Sequence, residues 1–263
     1  MQSNNPVFNN SKAFKSGGYA TFNEAPPATA AQLEEMYSAP AATGVDTGRM
    51  TMDDVVVKTG LMFAILLPLA AFNFWQQNAL LTIGGAIVGL VLALVVSFKQ
   101  STNAALILTY AAAEGLFLGG ISALFEHKWP GIVPQAILGT VAVFTAALFA
   151  YKSGRIRVTP KFQRTVLIAG GGYLIFCLIN FVVMATGHGG DFGLRTGVFG
   201  FAIGLFAVGL AAMFLILDFD YAEQGVRNGL PTRFAWLAAF GLVVTLVWLY
   251  VEMLRLIAIL RGD

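Results

Sequence analysis

The sequence predicts an all-α membrane protein of seven transmembrane helices, and three observations carry that reading. Only 11% of the 263 residues are charged, whereas a soluble domain carries about 25%. The mean hydropathy is +0.73. From Val55 onward the chain is a train of apolar runs, each near the ~20 residues that cross a bilayer at about 1.5 Å per residue. This composition excludes a disordered chain, a nucleic-acid binder and an ordinary cytosolic enzyme. The net charge of +2 says little about partners until its distribution is mapped. The single cysteine, Cys177, excludes an intrachain disulfide and a cysteine metal cluster.

Residues 1–54 form a first region rich in Asn, Ser, Gly, Ala and Pro. They hold no apolar core behind a basic run, so a secretory signal peptide is not expected. The expectation is a flexible cytosolic tail, with a short helix over Ala31–Tyr37. Residues 55–263 form the membrane domain. Its spans are expected at 55–75, 79–98, 103–125, 131–151, 165–187, 196–217 and 234–260. Lipid offers no partner to backbone N–H and C=O groups, so these runs must be helices. They lack the alternation that a membrane β-barrel requires. The breaks between them are short and polar, which makes neighbours antiparallel. Pro68 falls inside the first span, where a kink is expected. Gly85/Gly89, Gly115/Gly119, Gly193/Gly197 and Gly200/Gly204 have the spacing that lets membrane helices approach closely. Packing within one bundle is preferred over a dimer interface.

Orientation follows from Lys and Arg. Threading seven spans puts 12 of the 16 bases on the side of the N-terminus and 4 on the other. The segment Lys152–Arg164 dominates with five. The N-terminus is therefore expected in the cytoplasm, and the C-terminus outside.

Charge at bilayer depth costs at least about 2.5–3.5 kcal/mol, so an ionisable group there is a functional candidate. Glu114 lies near the middle of the third span, one turn after Tyr110. Glu252 lies in the seventh span with Arg255 three residues on, close enough to neutralise it. Asp218 closes the sixth apolar run in the string Leu215-Ile216-Leu217-Asp218-Phe219-Asp220-Tyr221. Asp220 and Glu223 follow, the latter with Arg227 at i,i+4, and read as a solvated helix end. There is no His-Glu-x-x-His zinc signature, no serine-nucleophile motif and no phosphate-binding loop. No enzymatic step and no resident cofactor are expected.

At four stretches the chain resembles the Bax inhibitor-1 family, the transmembrane Bax-inhibitor-motif proteins, in its bacterial YccA-like branch. They are Lys58-Thr59-Gly60-Leu61, Tyr110 to Gly119 around Glu114-Gly115, Leu215 to Tyr221, and Trp248 to Leu256. The resemblance covers about 55–260. It implies six helices around a central seventh, and a pH-sensitive calcium leak. It also implies an aspartate at the end of the sixth helix that shares a proton with another in the seventh. Two close carboxylates cannot both ionise cheaply, so a shared proton is physically sensible. Asp218 matches the first of these. For the second, one alignment gives Glu252 and another gives Thr245. With the helix starting at Phe234, Glu252 is roughly 27 Å along and Thr245 roughly 17 Å, which favours Thr245 opposite Asp218.

Three functions follow as expectations. The leading one is a passive, pH-modulated cation leak in the cytoplasmic membrane of a bacterium. Glu114 and Glu252 would face each other at an internal cation or proton site, with Asp218 at its cytoplasmic mouth. Calcium would be held weakly by these carboxylates and nearby carbonyls. Arg255 and Asp220 are accessory candidates. The second is a regulatory protein that binds a membrane partner through its tail, since relatives are associated with a membrane protease and with stress survival; a monomer is expected throughout. The third is a proton-coupled transporter using Glu114 and Glu252.

Overall fold

The computed structural model describes residues 48–154, 156–187 and 193–262. The expected helix at Ala31–Tyr37 and most of the expected tail lie outside them. Among the described residues there are seven helices and no strand: α1 (Met52–Gln76), α2 (Ala79–Lys99), α3 (Ala104–Lys128), α4 (Ile132–Lys152), α5 (Pro160–Ala185), α6 (Gly197–Arg227) and α7 (Phe234–Leu260). All seven are long and apolar enough to cross a bilayer. The protein is a multi-pass membrane protein.

The helix ends follow from capping chemistry, which hydropathy does not register. α1 starts at Met52, inside the region read as tail. Thr51 Oγ1 accepts from the backbone N–H of Asp54 at 3.1 Å, and Asp54 Oδ2 accepts from the N–H of Thr51 at 2.9 Å. This reciprocal box satisfies two of the donors that a helix start leaves open. Asn78 caps α2 by accepting from Leu80 and Leu81. Asn103 caps α3 through Ala105. Glu126 spans the α3–α4 turn and accepts from the N–H groups of Gly131 and Val133 at 2.5 and 3.0 Å. α5 begins at Pro160, five residues before the expected span, with Thr159 accepting from Phe162 and proline at the first helical position. α6 runs ten residues beyond the expected span, so Asp218 lies within the helix rather than at its end.

Close helix approach is made at five of the eight expected glycines. Gly85 and Gly89 of α2 lie against α3, where an added Cβ would meet Ala113 O and the Glu114 carboxylate. Gly115 and Gly119 of α3 lie against the α1 backbone at Leu66 and Ala70. Gly204 lies against Leu256 of α7. Gly193 and Gly197 do not form a helix–helix contact: Gly193 sits in the turn before α6, against Asn180. α7 packs against α1, α3, α4 and α6, and α5 reaches it through Tyr173, which meets Trp248 and Glu252. α2 packs chiefly on α3. Large apolar side chains such as Trp75, Leu80 and Phe98 point outward, as a lipid-facing surface requires.

A short strap closes the Met52 end. The N–H of Met50 donates to Leu230 O at 2.7 Å, and the N–H of Thr232 donates to Gly48 O at 3.0 Å. Lys58 Nζ donates to Thr232 O at 2.7 Å. Met50 is buried in the same apolar cluster as Phe219, Ala222 and Ala238.

Candidate functional site

The acids singled out in the sequence fall into three separate settings. The first joins α6 to α7. Asp218 Oδ2 accepts a hydrogen bond from Thr245 Oγ1 at 2.6 Å. Its Oδ1 faces Gly241, one turn earlier on α7, where a Cβ would stand 3.3 Å away. Among the described residues no basic side chain pairs with Asp218. Of the two alignments of the seventh helix, the structure therefore places Thr245, and not Glu252, opposite Asp218. Further along α6, Gln224 donates to Asp220, and Arg227 and Tyr151 both donate to Glu223. The Gln224–Asp220 and Arg227–Glu223 contacts are the local ones expected of a solvated helix end, while Tyr151 of α4 ties Glu223 to a neighbouring helix as well.

The second setting surrounds Glu252, which is 2% exposed. Its carboxylate accepts from Tyr173 Oη at 2.6 Å, from Arg255 Nη1 at 2.9 Å and from Arg195 Nη1 at 3.2 Å. The Arg255 pair is the expected i,i+3 neutralisation. Arg195 is the residue that sequence reasoning missed. It lies in the short α5–α6 connection, where a base is ordinarily solvated, yet it is 1% exposed. Its Nη2 donates to the Tyr173 hydroxyl, and its guanidinium lies 5.1 and 5.3 Å from the Tyr173 and Phe176 ring centres. Burial alone would lower the guanidinium pKa, but the facing Glu252 carboxylate and Tyr173 raise it above its ordinary value. The only sequence signal was position: Arg195 immediately precedes the apolar run of α6.

The third setting is Glu114, the eleventh of 25 residues in α3. It lies against Gly89 of α2 and interacts with Tyr110, one turn before it. Its Oε2 is buried without a hydrogen-bond partner. The expected Glu114–Glu252 site is therefore not formed, because Glu252 is saturated by Tyr173 and two arginines while Glu114 turns toward α2. Nor do Asp218, Glu114 and Glu252 make a common calcium site. Among the described residues no three His, Cys, Asp or Glu side chains converge as metal ligands. His127 lies at the end of α3, and His188 lies outside the described residues.

The family model described as Bax inhibitor 1 like matches residues 5–262. The chain belongs to this family. The match begins well before Val55, so the Bax inhibitor 1 like region takes in the N-terminal segment as well as the membrane domain that carried the resemblance. No curated protein and no solved structure matches the chain. Within this Bax inhibitor 1 like chain, the α6 aspartate faces a threonine, and the acid of α7 belongs to an arginine cluster two turns further on.

Proposed function

We propose that this chain is a passive, pH-modulated cation leak, calcium being the cation that the family resemblance implies, in the bacterial YccA-like setting. The observation that carries the reading is Asp218: a carboxylate within a membrane helix bundle, hydrogen-bonded to Thr245 and paired with no base among the described residues. An acid in a span is costly and marks an ion or proton pathway. A cation passing Asp218 would offset that cost. Calcium takes six to eight oxygen ligands, and one carboxylate, one hydroxyl and water make a weak, transient site suited to a leak.

Thr245 changes how such a path closes. A second acid would have to share a proton with Asp218; a hydroxyl donates to the carboxylate directly. At the level of Asp218, closure of α6 on α7 then rests on one O–H···O bond. Acidification lowers the leak, because a protonated carboxyl holds no cation. The α7 groups that face Asp218 are Gly241 and Thr245, and neither titrates. The proposal includes no enzymatic step and no resident cofactor. The bilayer is its necessary partner, the monomer its working unit, and the cytoplasmic membrane its place, with the N-terminus inside.

The test is calcium flux into liposomes carrying the purified chain and an entrapped dye. Wild-type protein is expected to conduct at neutral pH and less on acidification. Asp218→Asn is expected to lower neutral-pH flux by at least about tenfold, the ratio that ~1.4 kcal/mol of lost cation binding produces, and to flatten the pH dependence. Wild-type flux in D218N would overturn the reading. A folded wild-type protein with no flux would favour the regulatory, partner-binding role instead.

A further inference from the structure

The Arg195 cluster lies away from Asp218, toward the start of α6 and the later half of α7. Its charges do not cancel. Arg195 and Arg255 contribute two positive charges, and Glu252 contributes one negative charge. The side chains of Arg195 and Glu252 are 2% and 3% exposed, so water screens their charges poorly, while Arg255, 26% exposed, holds the second positive charge nearer the solvent. Arg195 Nε is also buried without an acceptor. What the cluster lacks is therefore an electron-pair donor, and a second cation is the ligand it fits least.

Its connectivity adds a mechanical role. Arg195 precedes α6, stacks on Tyr173 and Phe176 of α5, and pairs with Glu252 of α7. Thr245 and Glu252 are seven residues apart on α7, two helical turns or about 10 Å. α6 is thus fastened to α7 at two levels: by Asp218 with Thr245, and by Arg195 with Glu252. The first level carries an unpaired acid, and the second carries a net positive charge.

We propose that Arg195 is a fixed positive plug that bars cations from the half of the bundle opposite Asp218, held in place by Tyr173 and Glu252. The proposal rests on the leak reading and adds a second, electrostatic barrier in series with the first. Entry of a cation requires Arg195 to swing out of the cluster or to lose its charge. The side chain is a positioning and selectivity group, and Tyr173 sets its orientation through one hydroxyl that accepts from Arg195 and donates to Glu252.

The experiment uses the full chain in liposomes, with calcium as the probe and thermal melting in detergent as the folding control. Arg195→Gln keeps a hydrogen-bonding side chain and removes the charge. It is expected to raise calcium flux at least about tenfold and to shift the reversal potential toward greater cation selectivity. Arg195→Lys keeps the charge and is expected to stay within a few-fold of wild type. Tyr173→Phe removes the hydroxyl alone and is expected to raise flux by a smaller factor. Should R195Q fail to fold, Y173F decides the matter. The double variant D218N/R195Q is expected to lose the added flux, because the path still needs the Asp218 carboxylate. Unchanged flux and selectivity in folded R195Q, or in Y173F where R195Q does not fold, overturns the plug while a D218N-sensitive wild-type leak stands. Added flux that survives D218N also overturns it, since the current then bypasses the path. If D218N alone leaves wild-type flux intact, the leak reading itself fails.

Discussion

Thr245 and Asp218 meet through one hydroxyl hydrogen, and the consequences of that contact can be separated by substitution. Thr245→Val replaces the hydroxyl by a methyl of similar size and leaves Asp218 Oδ2 without its donor. A buried acceptor stripped of its partner costs about 1–3 kcal/mol, more when charged. T245V is therefore expected to melt at lower temperature and to leak more calcium, while Thr245→Ser stays near wild type in both. Wild-type melting and flux in T245V would show that the contact fastens nothing. The partnership was legible because helical rise converts sequence position into depth, and only Thr245 came near the depth of Asp218. The surroundings of Glu252 were not legible. A base in a short connection between spans is ordinarily solvated, and nothing in one dimension shows Arg195 folding back beneath Tyr173. Glu114 was visible as an acid at depth. Its direction was not, because facing Gly89 of α2 depends on how α3 is rotated about its own axis.

At the scale of the elements, hydropathy located all seven helices but measured only their lipid-crossing parts. Caps are polar and fall outside an apolar run, so α1 and α5 begin earlier than the runs do. The last turns of α6 are held by Gln224 on Asp220 and Arg227 on Glu223, pairs that an apolar window discards. The glycine spacing was more informative, because it reports backbone approach directly. A Cβ on Gly115 would stand 2.5 Å from Leu66 O and 3.1 Å from Leu66 Cα. Backbone cannot move aside as a flexible side chain can, so Gly115→Ala is expected to destabilise the bundle by roughly 1–3 kcal/mol, as overpacking does. Gly171 of α5 has nothing within 4 Å of the same position. Gly171→Ala is expected to leave stability unchanged or to raise it by up to ~1 kcal/mol through helix propensity. Unfolding of the two variants in detergent tests the contrast. Equal stabilities would mean that the small residues of α3 are not what sets its distance from α1.

For the whole molecule, the question is which end of the bundle faces the cytoplasm. Three contacts fix which ends lie together. The strap joins Gly48 and Met50 to Leu230 and Thr232, Lys58 reaches Thr232, and Tyr151 at the end of α4 reaches Glu223 on α6. That end also carries Arg49, Lys152, Arg227 and Arg233. The opposite end was assigned four bases, but Arg195 is buried against Glu252, leaving Lys128, Arg255 and Arg261. The asymmetry that retains positive loops in the cytoplasm is therefore stronger in the folded chain than a count of residues implies. With Cys177 replaced by serine, a single cysteine at the exposed Ser153 is expected to resist a membrane-impermeant thiol reagent in intact cells and to react after permeabilisation. A single cysteine at the exposed Gln77, between α1 and α2, is expected to react in intact cells. The reverse pattern would turn the bundle over. Asp218 would then lie toward the outer solution and the Arg195 plug toward the cytoplasm, so the acid that sets the pH response would sense the other compartment.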